Sequence, residues 1–147
     1  MNRGETTVES IDLYNKLIRE LLDDIGESLQ SAVSPGERET TLSRMDKVLE
    51  YLAAQFDLEE KDGYLTHVLE EFPNWHPQLQ HLQQEHRLLQ RQFREIRLRL
   101  SATAEKSDIS CELRRHLPDW IARFRQHQQR EDNMLHEAFL LDVGQGA

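Results

Sequence analysis

The chain has 147 residues, enough for one domain with a hydrophobic core of its own, and carries a net charge of −9. Apolar residues make up 37% of it and charged residues 31%, while glycine, proline and runs of β-branched residues are scarce, which favours an all-α protein. The negative charge argues against nucleic acid or an anionic membrane surface as a partner.

Cysteine content and the N-terminus indicate the compartment. Cys111 is the only cysteine, so the sequence excludes an intrachain disulfide and a cysteine-based zinc site. The polar N-terminal segment MNRGETTVES lacks the apolar core of a secretory signal, and no apolar run approaches membrane-spanning length. We therefore expect a soluble cytoplasmic protein with no membrane partner.

Proline, glycine and polar segments that interrupt the helical pattern predict four long helices within a single domain spanning residues 1–147. The first helix is expected at about residues 7–30. The second begins at SPGE, where Ser34 is a candidate N-cap, Pro35 takes the first helical position and Glu37 completes a capping box. It extends to about residue 61, where DGY interrupts it, and the following THVLEEF is compatible with one short extra turn.

The second half of the chain supplies two more helices. Prolines at positions 73 and 77 mark the start of the third helix, which is expected at about residues 77–102. A polar connection precedes the fourth helix. The fourth is expected to end near Val143 with Gly144 as a left-handed cap, and Pro118 predicts a kink or an irregular opening turn. Four helices with short connections favour an antiparallel up-down-up-down four-helix bundle over an extended coiled coil.

Each predicted helix carries a stripe of apolar residues at alternating three- and four-residue steps, which is typical of a face turned to the core. Polar residues interrupt every stripe. The stripe of the first helix is Val8, Ile11, Asn15, Ile18, Leu22, Ile25 and Leu29, and that of the second is Leu42, Met45, Leu49, Leu52, Gln55 or Phe56, and Glu59. The stripe of the third helix is Leu79, Leu82, His86, Leu89, Phe93, Ile96 and Leu100. The stripe of the fourth helix is Leu113, Leu117, Trp120, Phe124, His127, Glu131, Met134 and Ala138.

The polar stripe residues need partners, because burying an unpaired charge or imidazole costs several kcal/mol. Alternating helix directions allow Asn15, Glu59, His86 and His127 to share one layer. Two imidazoles and two carboxylates, with Glu131 as the second carboxylate, form a ligand set that suits iron, manganese or zinc. A metal-free arrangement is also open, with His127 bonded to Glu131 along the helix and Glu59 paired with His86.

Several segments resemble the hemerythrin-like, or HHE cation-binding, domain family. They are QFDLEE followed by GYL, LQQEHRLL around His86, WIARFRQHQQRED around His127, and the ending NMLHEAFLLDVG. Their order and spacing, more than any single motif, carry the resemblance, which covers about residues 14–144. It implies a four-helix bundle with a non-haem di-iron site, serving the binding or sensing of iron or dioxygen.

The resemblance assigns roles residue by residue. Glu59 and Glu131 correspond to carboxylates that can bridge two metal ions, with Asp132 as the runner-up to Glu131. His86 and His127 correspond to terminal nitrogen ligands. The predicted metal site is therefore Glu59, His86, His127 and Glu131, with iron, as a di-iron or mononuclear centre, the expected cofactor.

The sequence also departs from the family pattern. Asn15 and Gln55 stand where the first and second helices of the family usually supply histidines, and Leu82 stands where the oxygen carriers have another. Amide oxygens are weaker ligands, so three possibilities stay open: a mononuclear site, a two-metal site completed by water, and a vestigial site held by hydrogen bonds. The last would make the protein a metal-free helical interaction module.

The remaining candidate residues point to no other chemistry. No arrangement of nucleophile and base is apparent, so we expect a binding protein and not an enzyme. The Glu-x-x-His spacing of ferritin-like di-iron proteins does not occur in the sequence. We expect Cys111 to be a small core residue, and five histidines to lie at the surface or the rim: His67, His76, His81, His116 and His136.

Overall fold

The protein is a bundle of four helices. A computed structural model describes residues 3–30, 35–61, 70, 73–102 and 111–145, and it contains no strand within those ranges. The helices are α1 (Arg3–Gln30), α2 (Pro35–Lys61), α3 (His76–Ala102) and α4 (Cys111–Gln145), and a 3-10 turn, Pro73–Trp75, leads into α3. The all-α prediction is confirmed.

Neighbouring helices run in opposite directions. Each helix packs against the next one along the chain, and α1 also packs against α4, which closes the bundle. Hydrogen-bonded pairs between neighbouring helices show the directions, because the residue number falls along one helix as it rises along the other. These hydrogen-bonded pairs are Asn15–Gln55 and Ser28–Arg44 between α1 and α2, Arg38–Leu100 between α2 and α3, and Glu85–His127 and Leu89–Trp120 between α3 and α4.

Helix boundaries agree with the predicted ones at most ends. The second helix begins at Pro35 as expected, although its cap, Ser34, lies outside the described residues, as does most of the predicted extra turn at 66–72. The predicted cap at Gly144 is wrong, because α4 continues through it to Gln145. Of the two alternatives predicted for Pro118, the irregular opening turn is not observed, since α4 is helical on both sides of this residue, and the kink stays a prediction.

An aromatic cluster fills the middle of the core. Trp120 stacks on Phe124 with ring centroids 5.1 Å apart, and Phe93 packs at 4.7 Å on Trp120. The indole nitrogen of Trp120 donates a 2.8 Å hydrogen bond to the carbonyl of Leu89, which satisfies its one donor. The core cluster consists of Ile18, Leu22, Ile25, Met45, Val48, Leu52, Leu89, Phe93, Ile96, Leu100, Leu117, Trp120 and Phe124.

The inward face of α2 differs from the predicted stripe. Thr41 and Val48 are fully buried, whereas the predicted core residues Leu42 and Leu49 are only partly buried at the edge of the core. In each of the pairs Thr41–Leu42 and Val48–Leu49, two adjacent residues could face the core, so the sequence pattern alone does not identify the inward residue. None of the helices in the described residues combines the length and hydrophobicity needed to cross a membrane.

Candidate metal centre

A layer of polar side chains lies inside the bundle, on the side of the aromatic cluster that holds the start of α1 and the end of α2. Helical steps of three and four residues place these side chains on the inward faces. All of them are at most 7% exposed, although polar groups are rarely buried to that extent without partners. The layer comprises Asn15, Gln55, Glu59, His86, His127, Gln128 and Glu131.

Three of these residues form a compact donor cluster, which we call the His–His–Glu cluster: His86 on α3, and His127 and Glu131 one turn apart on α4. One ligand atom from each lies within 4.8 Å of the other two. All three side chains are buried. The structure therefore brings together three of the four predicted ligands from two helices.

His127 is oriented by a carboxylate on the neighbouring helix. Its Nδ1 lies 2.7 Å from Oε1 of Glu85, and the same oxygen accepts a 2.6 Å hydrogen bond from Arg130. The other ring nitrogen, Nε2, is 3.2 Å from Oε2 of Glu131, close enough for an ion pair but not aligned as a hydrogen bond. A carboxylate that holds the far nitrogen of a histidine is a common arrangement around metal ligands.

Two carboxylates control the protonation of His127. Burial by itself lowers the pKa of the imidazole, but the adjacent carboxylate of Glu131 and the hydrogen-bonded carboxylate of Glu85 outweigh it, so the pKa is raised above its usual value. Without a cation in the cluster, the proton on His127 balances these carboxylates. A metal ion bound to Nε2 would replace that proton.

His86 is held in the neutral form required of a metal ligand. Burial is the largest influence and lowers the pKa of His86, and the positive charge of His127 acts in the same direction, while Glu131 opposes them. Its Nε2 donates to the carbonyl of Leu52 at 3.3 Å, so the lone pair of the neutral ring is on Nδ1. Stacking on Phe56, with centroids 5.2 Å apart, fixes the ring plane.

Glu59 on α2 contacts the cluster through Glu131. Burial would raise the pKa of Glu131, but a hydrogen bond from Glu59, together with the adjacent positive charge of His127, lowers it to about 2. A hydrogen bond between two carboxyl groups requires a proton between them. This pairing of buried carboxyl groups from separate helices suits a cation, which can replace the proton and neutralise both groups.

The α1–α2 side of the layer is built from amides. Asn15 Oδ1 accepts hydrogen bonds from Nε2 of Gln55 and from Nε2 of Gln128, the latter at 2.9 Å. Gln55 also donates to the carbonyl of Ile11 at 3.4 Å. These three side chains, which we call the amide cluster, join α1, α2 and α4 where the resemblance leads one to expect histidines at positions 15 and 55.

Sequence reasoning missed two residues of this region, Glu85 and Gln128. Gln128 stands four residues after Phe124 and three before Glu131, so the helical period alone would have placed it on the inward face. Glu85 gave no such signal, because its role depends on contacts with α4. Asp132, the runner-up to Glu131, is half-buried and is not part of the His–His–Glu cluster.

The other histidines lie away from the cluster where the structure describes them. His76, His81 and His116 have exposed side chains, as predicted. His81 approaches the site most closely, with its Nε2 3.8 Å from Oε2 of Glu85. The side chains of His67, His136 and Cys111 lie outside the described residues.

The donor atoms fit a divalent transition metal. Two imidazoles and a carboxylate suit iron, manganese or zinc, and His127 Nε2 and Glu131 Oε1 are buried atoms without a hydrogen bond to any described group. Such a pair of buried atoms in a polar layer is expected where an ion completes the site. In this arrangement the residues that would hold a metal are His86, His127 and Glu131, with Glu59 beside them.

Comparison with known families agrees with this geometry. The model of the hemerythrin HHE cation-binding domain matches residues 6–139, a range that contains the His–His–Glu cluster, Glu59 and the amide cluster. No curated protein and no solved structure gives a significant match. Since the match spans nearly the whole chain, the protein belongs to the hemerythrin HHE cation-binding domain family.

Proposed function

We propose that this protein binds iron inside the bundle through His86, His127, Glu131 and Glu59, and that it serves in the binding or sensing of iron or dioxygen. The observation that carries the proposal is the His–His–Glu cluster, whose three ligand atoms lie within 4.8 Å of one another inside the core. We further propose that it acts in the cytoplasm as a binding protein and not as an enzyme.

The choice of iron rests on the donor set. Two histidines with one carboxylate on one side of an ion are typical of non-haem Fe(II) sites that keep open positions. Open positions would admit water or dioxygen. Manganese and zinc accept the same donors, so the metal preference is tested by direct competition.

The test is metal content after purification from iron-supplemented cells, with His86→Ala as the site variant and His76→Ala, at an exposed position of the same helix, as the matched control. We expect stoichiometric iron in the wild type and the control, and its loss in His86→Ala. Absence of stoichiometric metal from the wild type, also after anaerobic addition of Fe(II), Mn(II) and Zn(II), would refute the proposal. Equal metal in His86→Ala would refute the ligand assignment.

A metal-free interaction module is the second candidate. The amide cluster favours it, because Asn15, Gln55 and Gln128 satisfy one another without an ion. Replacing His127 by Leu separates the two functions. A metal-binding protein loses its ion and the stability that the ion contributes, whereas a metal-free bundle tolerates an apolar residue at a buried charged position or becomes more stable.

A further inference from the structure

We infer that the site holds one metal ion per chain, because the amide cluster closes the α1–α2 side of the polar layer. This inference rests on the proposed function and specifies the number of ions. It follows from the size of the donor cluster, the hydrogen bonding of the amides and the nitrogen atoms that the two histidines can offer.

The His–His–Glu cluster has the size of a single coordination sphere. Its three ligand atoms lie within 4.8 Å of one another. Ligands at about 2.0 to 2.2 Å from one ion are at most about 4.4 Å apart, so a small adjustment brings all three onto the same ion. One ion thereby uses both imidazoles and the carboxylate.

The amide cluster has no free oxygen to offer at Asn15. Its Oδ1 already accepts two hydrogen bonds, from Gln55 and Gln128, which use both lone pairs. Coordination of a second ion by this oxygen would break both bonds and leave buried donors unsatisfied, which is costly in a layer of such low exposure.

The two histidines supply two coordinating nitrogens in all. Nδ1 of His127 is held by Glu85 and Nε2 of His86 by the carbonyl of Leu52, so each ring has a single nitrogen left for coordination. Two ions would each receive one imidazole, and no further histidine is buried among the described side chains. One ion with two nitrogens and one or two carboxylate oxygens is the better-supported arrangement.

The first experiment is an anaerobic titration of the metal-free wild type with Fe(II), followed by elemental analysis and, after oxidation, electron paramagnetic resonance. We expect saturation at one iron per chain and the signal of an isolated high-spin ferric ion. Saturation at two, with the signal lost through coupling between the ions, would overturn the inference. Failure to bind any iron would instead refute the proposed function, so the two failures are distinguishable.

The second experiment compares Gln55→Leu with Glu131→Gln. We expect Gln55→Leu to keep one iron per chain with an affinity within about threefold of the wild type, below the 10–100-fold that loss of a supporting group costs. Glu131→Gln should lose the iron. A tenfold weaker affinity or a lower stoichiometry in folded Gln55→Leu would show that the amides are ligands. Circular dichroism checks folding, and Gln128→Met serves as the second amide variant.

Discussion

At the scale of single residues, Glu85 influences the site without belonging to the His–His–Glu cluster. It accepts hydrogen bonds from His127 and Arg130 and is about one-fifth exposed, so it connects the buried imidazole to the surface. By holding Nδ1, it turns Nε2 of His127 towards Glu131. Glu85 is therefore a positioning residue, and its removal should weaken metal binding while leaving every ligand in place.

We expect Glu85→Ala to lower metal affinity about 10–100-fold, the usual cost of losing a group that supports a ligand. Glu85→Gln should lose less, because its amide oxygen still accepts a hydrogen bond from Nδ1. Isothermal titration with Zn(II) measures both, and Glu95→Ala, an exposed glutamate on the same helix, is the control. An affinity of Glu85→Ala equal to that of Glu95→Ala would contradict the role.

Metal affinity should also depend on pH through His127. The pKa of this imidazole is raised, so His127 keeps its proton to a higher pH than an ordinary histidine, and the ion must displace that proton. Affinity is therefore expected to decrease as the pH is lowered from about 8 to 6, while Glu131, with a pKa of about 2, stays ionised.

The same titration in Glu85→Gln tests the cause. The negative charge of Glu85 contributes to the raised pKa of His127, so neutralising it should shift the loss of affinity to lower pH. An unchanged midpoint in Glu85→Gln, or an affinity of the wild type that does not vary over this pH range, would be evidence against proton competition at His127.

At the scale of helices, the ends are tied together by side chains from neighbouring elements. The last carbonyls of any helix lack partners within the helix. Arg38 at the start of α2 donates to the carbonyls of Leu100 and Ser101 at the end of α3, at 3.1 and 2.6 Å. A cation at a helix C-terminus also interacts favourably with the helix dipole.

Replacing Arg38 by Met should therefore lower the free energy of unfolding by about 1 kcal/mol, the net value of such hydrogen bonds. Arg94→Met on the exposed face of α3 is the control and should stay within about 0.5 kcal/mol of the wild type. Urea denaturation of the metal-free proteins gives both values. Equal stabilities of the two variants would show that the contact at the end of α3 contributes nothing.

At the scale of the whole molecule, the proposed ion would connect three of the four helices. Glu59 comes from α2, His86 from α3, and His127 and Glu131 from α4. A ligand that binds only the folded bundle stabilises it in proportion to the logarithm of its concentration. Metal binding and global stability should therefore be coupled.

We expect Zn(II) or anaerobic Fe(II), at about 100 times its dissociation constant, to stabilise the wild type by about 2.7 kcal/mol. His86→Leu should abolish this stabilisation, whereas His76→Leu, a substitution at an exposed position of the same helix, should retain it. Thermal unfolding with and without metal makes the comparison. Similar responses of the two variants would contradict coupling through the His–His–Glu cluster.

The helical period by itself determined the class, the four helices and most of the inward faces. On α4, large apolar residues repeat around His127 and Glu131, so burial of that pair could be predicted because no other face of the helix is apolar enough to pack. On α2, Thr41–Leu42 and Val48–Leu49 offer two adjacent choices, and a shift of one residue leaves the pattern almost unchanged. Only packing against α1 and α3 selects Thr41 and Val48.

The tertiary structure alone decided how the polar layer is divided. The sequence placed amides and imidazoles on inward faces, but contacts between side chains far apart in the chain depend on helix rotation and spacing, which local periodicity does not encode. Packing brings Gln128 on α4 into contact with Asn15 on α1, and Glu85 on α3 into contact with His127 on α4. The same packing gathers His86, His127 and Glu131 and ties the amides to one another, and this division supports a site for one ion.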